Sequence, residues 1–443
     1  MAALRPLRLL NAIEAGTTSG AQFETFLTDA GRLAEFRVLL DDRGQVRRMA
    51  SSQTTIDALI LSPIAINAVF GMATATSSEA ITAMAEKPAA VASIALDLAT
   101  LTAAEGNTVA WGILTASSSY EANSKNATAT LAGVVPASFA TIELLIANAV
   151  ARNAVSTSRI AMRALVPSPD GMTAMAADTT GMSEIANNPL SMGVVAGNAN
   201  AMAKVAASSV ALAEITPVAS AMQAISISAT AISAIYSDAA AWALFKGSPH
   251  FATYATDVAH LLSVQPGDAA PTAAGTYASL NSIIDNVEAL TLVAANTGAV
   301  EALASSPSAL AYLAAHANFS IVAGSATAMA VIGPDTTAMT AFLNVPAAVP
   351  VLFASSIAKG FIVASTPLVD LIAATPGTIT YLQTLAVTAI PASLRSSTTA
   401  TDDPFDPIQK ALVLSARANN IGAIDATFSF NGSTAAGTGA TAD

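Results

Sequence analysis

Residues Met172–Ile215 read MTAMAADTTGMSEIANNPLSMGVVAGNANAMAKVAASSVALAEI. A four-residue unit with apolar ends returns every ten positions: MTAM at Met172, MSEI at Met182, MGVV at Met192, MAKV at Met202 and LAEI at Leu212. The register extends outward without a break. IELL at Ile142, RNAV at Arg152 and MRAL at Met162 precede it; MQAI at Met222, ISAI at Ile232 and WALF at Trp242 follow, making eleven copies in all. Only Arg152 departs from an apolar first position. Weaker copies begin at Ile56, Ile66, Ile81 and Val91, and again at Val300, Leu310, Met329, Met339, Val349 and Ile379. The stretch 246–297 breaks the pattern most. It contains Gln265-Pro-Gly-Asp268 and Pro271 and reads as a kink or insertion.

Apolar residues at i and i+3 share one face of a helix but lie on opposite faces of a strand. Four residues before each first apolar position stand Ser138, Asn148, Ser158, Ser168, Asp178, Asn188, Asn198, Ser208, Val218, Ser228 and Asp238. Ten of these eleven are Ser, Asp or Asn, types that make up 79 of the 443 residues, so chance alone gives about two. These are the residues whose side-chain oxygen accepts a bond from an orphan N–H of a helix's first turn. Pro63, Pro88, Pro169, Pro189, Pro307 and Pro376 follow directly after the cap position, where a proline's missing N–H costs nothing. Each decapeptide therefore reads as a cap, about two turns of helix and a short turn, with the apolar pair at the fourth and seventh helical positions.

A seven-residue helix is not stable alone, because nucleating it costs more than so few bonds return. The units must stack, and the expected fold is mainly α: a solenoid of very short helices with a ten-residue repeat. With two decapeptides per coil and layers ~9 Å apart, some 330 residues make a rod on the order of 150 Å long. A β-solenoid is the alternative. Ser/Asn turns suit it, but the i, i+3 pairs and the prolines do not.

Composition narrows the function. Of 443 residues 53% are hydrophobic, 11% charged and 5% aromatic, and cysteine is absent. That excludes disulfides, thiolate metal sites and a Cys nucleophile. A net charge of −12 speaks against nucleic acid as a partner, because phosphate binding needs clustered Lys and Arg. The best candidate for a membrane span, Val345–Ser365, contains Pro346, Pro350, Ser355, Ser356 and Lys359, so no membrane insertion is expected. The N-terminus carries no apolar stretch of signal-peptide type.

Five segments follow: a helical attachment or assembly head at 1–48, repeats at 49–245, the irregular stretch 246–297, repeats at 298–395, and a linker with an interaction segment at 396–443. The head holds seven basic and six acidic residues, a far denser charge than the rest of the chain. It reads as three helices. Pro6 opens the first and Gly16 ends it, Ser19 with Gln22 forms a capping box for the second, and Asp29 caps the third. Asp42-Arg-Gly44 reads as a turn. In the last segment Ser396–Pro404 reads as a linker, Pro407–Arg417 as a helix and Ala423–Asn431 as a strand. A lone strand needs an edge to pair with, and another chain is expected to supply it.

Candidates for chemistry are few. His250, His260 and Asp257 are spaced as a metal pair would be, yet a site needs three or more convergent ligands. His316 stands alone. Asp402, Asp403 and Asp406 form an acidic cluster suited to a solvated linker better than to Ca²⁺, which takes six or more oxygens. Arg43, Arg47 and Arg48 form a basic patch read as pairing with nearby acids. Asn126, Asn318 and Asn431 head Asn-x-Ser/Thr triplets, which carry meaning only in a secretory context. No catalytic, cofactor-binding or metal-binding residue is assigned, and no cofactor.

The runs SSVALAEI, SATAMAVI and SSPSALAYLA, with the head LLNAIEAGTTSGAQFETFLTDAGRLAEF and RGQVRRMASS, resemble the Ala-rich decapeptide arrays of tailed-bacteriophage virion proteins, often described as tail-fibre-like. The likeness covers roughly residues 8–390. It implies a virion structural component of the tail, its fibres or another external appendage, without catalytic residues. The implied partners are other virion proteins and copies of the same chain, with a homotrimer expected by analogy with fibres and a host surface as a further contact. A bacterial surface adhesin on a repeat stalk is the alternative. An enzyme is disfavoured by the scarcity of acid–base and metal groups. Ice binding would need exposed Thr rows that the ten-residue register lacks.

Overall fold

The computed structural model describes residues 4–71, 78–264, 273–382, 427–430 and 433–436. The chain divides into two units, Met1–His250 and Phe251–Asp443. Both are built of short helices, and the described repeat region is a mainly α, solenoid-like array.

In the first unit the decapeptides Met172–Ile215 form helices Pro169–Ala177, Thr179–Ala186, Pro189–Ala196, Ala199–Ala206 and Ser209–Ile215. Nine of the eleven cap positions do what the sequence requires. Asn148, Ser158, Ser168, Asp178, Asn188, Asn198, Ser208, Ser228 and Asp238 each accept a backbone N–H of the helix they open. Val218 has no oxygen to offer and caps without a side-chain bond. Ser138 closes a 3₁₀ turn, Pro136–Ser138, and Thr141 caps helix Ile142–Ala147 in its place. The shift follows from the preceding helix, Ser118–Leu131, which is longer than a repeat and ends at Gly133 in the left-handed region (φ +71°). All six diagnostic prolines are first residues of their helices.

The four helices from Pro169 to Ala206 bury their third, fourth, seventh and eighth residues, as Ala201, Met202, Val205 and Ala206 do in helix Ala199–Ala206. The fourth and seventh are the large apolar pair; the third and eighth are small and let neighbouring axes approach. At Gly171 an added Cβ would lie 2.6 Å from Leu165 Cδ1 and 2.7 Å from Ile142 Cδ1, so a side chain there would have to displace both methyl groups.

The coil differs from expectation. Consecutive helices meet at corners of 97° to 102° in this unit, and of 111° and 114° in the second. Three such corners return the chain over its starting helix, and most helices pack on the third before them and the third after them. Ser209–Ile215 lies on Thr179–Ala186, Ala219–Ser226 on Pro189–Ala196, and Ala229–Ser237 on Ala199–Ala206. A coil therefore takes three decapeptides, not two, and the same residues build two-thirds as many layers.

The caps also join the layers. Ser208 Oγ accepts from Ala211 N (3.2 Å) and donates to the Ala176 carbonyl, 32 residues back (2.5 Å). Ser228 does the same toward Ala196 and Ser248 toward Thr216, again at an offset of 32. One hydroxyl thus satisfies an orphan donor of its own helix and a carbonyl at the C-terminal end of a helix one coil below. Asn can do both jobs through its two ends, and Asn188 Nδ2 reaches Thr157 O (3.3 Å). Asp can only accept, and where Asp178 caps, Arg152 donates to it instead (3.3 Å).

The head belongs to the same stack. Ser19 and Gln22 form the reciprocal capping box, and Asp29 caps Ala30–Leu40. The first helix already starts at Leu4, ahead of Pro6, and Gly16 follows it in the left-handed region (φ +69°). Asp42 corrects the reading of Asp42-Arg-Gly44 as a turn: its carboxylate caps a fourth helix, Arg43–Ser51. Helix Gly20–Leu27 packs on Gln53–Ile60, Ala30–Leu40 on Pro63–Gly71, and Arg43–Ser51 on Ser78–Ala85, the same third-neighbour pattern. The step in charge near residue 48 is not a packing boundary. It falls within the first coil described, whose helices carry most of the charge of this stretch on exposed positions.

The second unit opens with a 3₁₀ turn, Phe251–Tyr254, and helix Ala255–Ser263. Third-neighbour stacking is already present at Ala255–Ser263, which carries Thr297–Ala304; it goes on through Leu280–Asp285, which carries Pro307–Ala315, to Pro376–Leu382 on Ala348–Ala354. Within the C-terminal segment strand Thr427–Phe430 pairs antiparallel with Ser433–Ala436 of the same chain, with Thr427 opposite Ala436 and Phe430 opposite Ser433. The edge expected from another chain is therefore supplied locally. The linker at Ser396–Pro404 and the helix at Pro407–Arg417 lie outside the described residues.

Candidate functional site

Among the described residues of the first unit the stacked helices leave a recess. Helix Arg159–Leu165 packs beneath Pro189–Ala196, and a groove of about 530 Å³ runs between them, lined among others by Trp111, Arg159, Arg163, Pro167, Leu190 and Gly193. Its shape follows from the sequence. At Gly193 an added Cβ would meet nothing within 4 Å, so one wall has no side chain there. Leu190 is 65% exposed at the rim. Trp111 is almost wholly buried and stands edge-on to Tyr120 (ring centroids 6.4 Å apart). The Tyr120 hydroxyl donates to Ala164 O (2.8 Å) and ties this wall to helix Arg159–Leu165. Burial pushes that phenol well above its ordinary range, with Glu121 adding to the effect.

Arg159 and Arg163 are the only charged residues lining the groove. Arg163 is held by Glu105. Arg159 is exposed, opens its helix and makes no ion pair among the described residues. The groove can hold an anionic group against an apolar wall. It presents no nucleophile or acid–base pair.

No protein-family model matches the chain, and no curated protein sequence does either.

The residues singled out in the sequence are placed as follows. His250 belongs to the first unit, its Nε2 3.0 Å from Pro217 O. His260 belongs to the second, buried edge-on to Tyr277 at 5.0 Å. Asp257 accepts the Gly275 N–H (2.7 Å), holding a turn with positive φ. Among the described residues no group of three or more His, Cys, Asp or Glu could hold a metal, and no single helix is long and apolar enough to cross a membrane. Arg47 binds Glu79 (2.8 Å), with Arg43 at 3.8 Å, and Arg48 binds Glu14 (2.5 Å) and Asn11. The head's basic patch is thus paired with acids of the same unit. Asn318 Nδ2 donates to Ile284 O (2.8 Å) as an inter-coil staple. Asn126 lies in helix Ser118–Leu131. Asn431 and the cluster Asp402, Asp403 and Asp406 lie outside the described residues.

Two polar clusters were not read from the sequence. In the second unit Asp285 Oδ1 accepts from the Tyr312 hydroxyl (2.6 Å) and lies 3.3 Å from His316 Nε2, while His316 Nδ1 accepts the Asn318 N–H (3.1 Å). The bond to Asp285 holds the Tyr312 phenol above its usual range. In the first unit Arg152, its side chain 10% exposed, faces Asp178 and Glu184, and Glu184 also accepts from Ser156 Oγ (2.6 Å). Its signal was visible as the one break in the apolar rule. The signal for the groove was Arg159 and Arg163, two cations four residues apart in a repeat nearly free of charge.

Proposed function

We propose that this chain is a structural component of a bacteriophage virion, in the tail, a tail fibre or another external appendage, acting as spacer and assembly element. One observation carries the reading. Within each unit helices pack on their sequence neighbours and on their third neighbours, coil after coil, so a longer array needs only more copies of one decapeptide. Such a design suits a part whose task is to occupy length. The coil interior is filled by Met, Ile, Leu, Val and Ala, which supports a scaffold role over catalysis. The charged first coil suits attachment. Copies of the chain, as a homotrimer, and other virion proteins are its partners in this reading.

Mass spectrometry of gradient-purified phage particles tests it. The chain is expected in stoichiometric amount, with antibody label on an external appendage by electron microscopy. Absence from particles, or recovery from the surface of uninfected bacteria, rejects the virion reading; the second result would favour the adhesin.

A further inference from the structure

The groove between helices Arg159–Leu165 and Pro189–Ala196 contains an electrostatic anomaly. Arg159 is the first residue of its helix, where the positive end of the helix dipole disfavours a cation. Arg163 lies four residues on, and like charges at that spacing repel. Glu105 neutralises Arg163, and nothing among the described residues neutralises Arg159. In the neighbouring repeats the same first position is held by Pro169, Thr179, Pro189, Ala199 and Ser209. Stability alone therefore does not account for Arg159, and an anion arriving at the groove would.

The lining restricts what that anion is. Trp111, Pro167 and Leu190 offer a free inorganic ion nothing, so the ligand carries apolar groups beside its charge. A recess of about 530 Å³ suits a short segment rather than a globular face. The chain itself contains such a segment. Thr401-Asp-Asp-Pro-Phe-Asp-Pro407 places three carboxylates within five residues, flanking Pro404 and Phe405, in a sequence otherwise poor in charge.

We propose that this groove is a self-association site that receives the acidic segment Thr401–Pro407 of a second copy, with its aspartates at Arg159 and Phe405 against the apolar wall. The contact joins two different surfaces, so it closes a ring of subunits or extends them as a chain. It needs only the groove and the sequence, and it stands or falls independently of the virion reading.

Sedimentation velocity of the full chain over a concentration series, at low and high salt, tests it. The wild type is expected to associate, and more weakly as salt screens the pair. Arg159→Glu, and separately Asp402→Asn with Asp403→Asn and Asp406→Asn, are each expected to weaken association by about ten-fold or more. Combining Arg159→Glu with lysine at all three aspartate positions is expected to restore it. Circular dichroism checks that Arg159→Glu keeps its helices, which a glutamate at a helix start favours. A wild type that stays monomeric at every concentration overturns the proposal, as does association that neither variant weakens. Loss with Arg159→Glu but not with the asparagine variant overturns the assigned occupant and points to another acidic surface of the same chain.

Discussion

Replacing Ser208 by alanine removes two bonds with one atom. Its hydroxyl oxygen no longer accepts from Ala211 N, and its proton no longer reaches the carbonyl of Ala176 one coil below. Loss of a serine N-cap costs about 1 kcal/mol, and loss of an ordinary internal hydrogen bond about 1 kcal/mol more. The sum is about 2 kcal/mol, or roughly a thirty-fold change in a local opening equilibrium. An array of this kind opens locally, so a global midpoint dilutes the effect. Native-state hydrogen exchange places it: amides in helices Pro169–Ala177 and Ser209–Ile215 are expected to exchange roughly thirty-fold faster. Ser208→Asn keeps both functions, as Asn188 does, and is expected to stay close to wild type. Ser208→Asp keeps the cap and loses the donor, and falls between. Val218→Ser is the mirror experiment, adding a cap and a donor where the chain has neither, with an expected gain of about 1 kcal/mol. The double role of the caps is refuted if Ser208→Ala exchanges no faster than Ser208→Asn, or if the aspartate and asparagine variants are indistinguishable.

Arg152→Met restores the large apolar residue of the repeat and is expected to be neutral or mildly stabilising, whereas Arg152→Ala leaves a cavity and costs about 2 kcal/mol or more; urea titration of both variants checks this. Gly171→Ala forces a Cβ against Leu165 and Ile142 and is expected to cost about 1–3 kcal/mol, while Gly112→Ala, where nothing lies within 4 Å, is expected to gain about 0.5–1 kcal/mol; thermal melts distinguish them. Because burial raises the Tyr120 phenol in the folded chain, unfolded chains lose that proton first, so stability is whole below the ordinary tyrosine value of about 10 and declines as pH rises above it. Tyr120→Phe is expected to flatten that alkaline decline in denaturation midpoints. Deleting residues 199–208 removes one decapeptide, gives each later staple an acceptor of the same kind, and is expected to leave a folded array; deleting 199–203 inverts the inward face and is expected to melt helices Ser209–Ile215 and Ala219–Ser226, as seen by hydrogen exchange.

Helix type, helix starts and the buried pair were legible because each is decided within ten residues. A cap oxygen, a proline at the first position and an i, i+3 pair act on their own turn and leave a local trace. The number of decapeptides per coil was not legible, because it depends on the corner angle between helices, which no single residue type sets. Its trace is a bond at an offset of 32 residues, and in a sequence where nearly every cap is Ser, Asn or Asp a partner three repeats back looks no different from one two or four repeats back. The irregular stretch left a composition signal at Gln265–Pro271, yet helix Ala255–Ser263, ahead of that signal, already stacks on Thr297–Ala304, well before the apolar unit becomes regular again at Val300. The strand pairing was half legible: the alternation at Ala423–Asn431 was visible, but its small-residue partner, Ser433–Ala436, carries no apolar alternation to announce it.

The placement of the buried and bridging charges follows one rule. Carboxylates recur where a cap hydroxyl would otherwise seek a backbone carbonyl: Glu24 accepts from Ser62 and Ile64 N, and Glu121 from Ser168 and Asp170 N. Each sits at a helix start, where negative charge is favoured. Buried cations are matched in turn, Arg152 by Asp178 and Glu184, and Arg163 by Glu105. A scaffold that satisfies its own caps and charges so consistently needs little surface charge to stay folded, which is why 11% charged residues suffice. Arg159, like Arg8 and Arg37, is exposed and makes no ion pair among the described residues; unlike them it is the first residue of its helix and lies beside an apolar groove. A residue that weakens its own helix calls for an anion to offset it, and beside this groove the proposed contact supplies one: a carboxylate attached to something apolar.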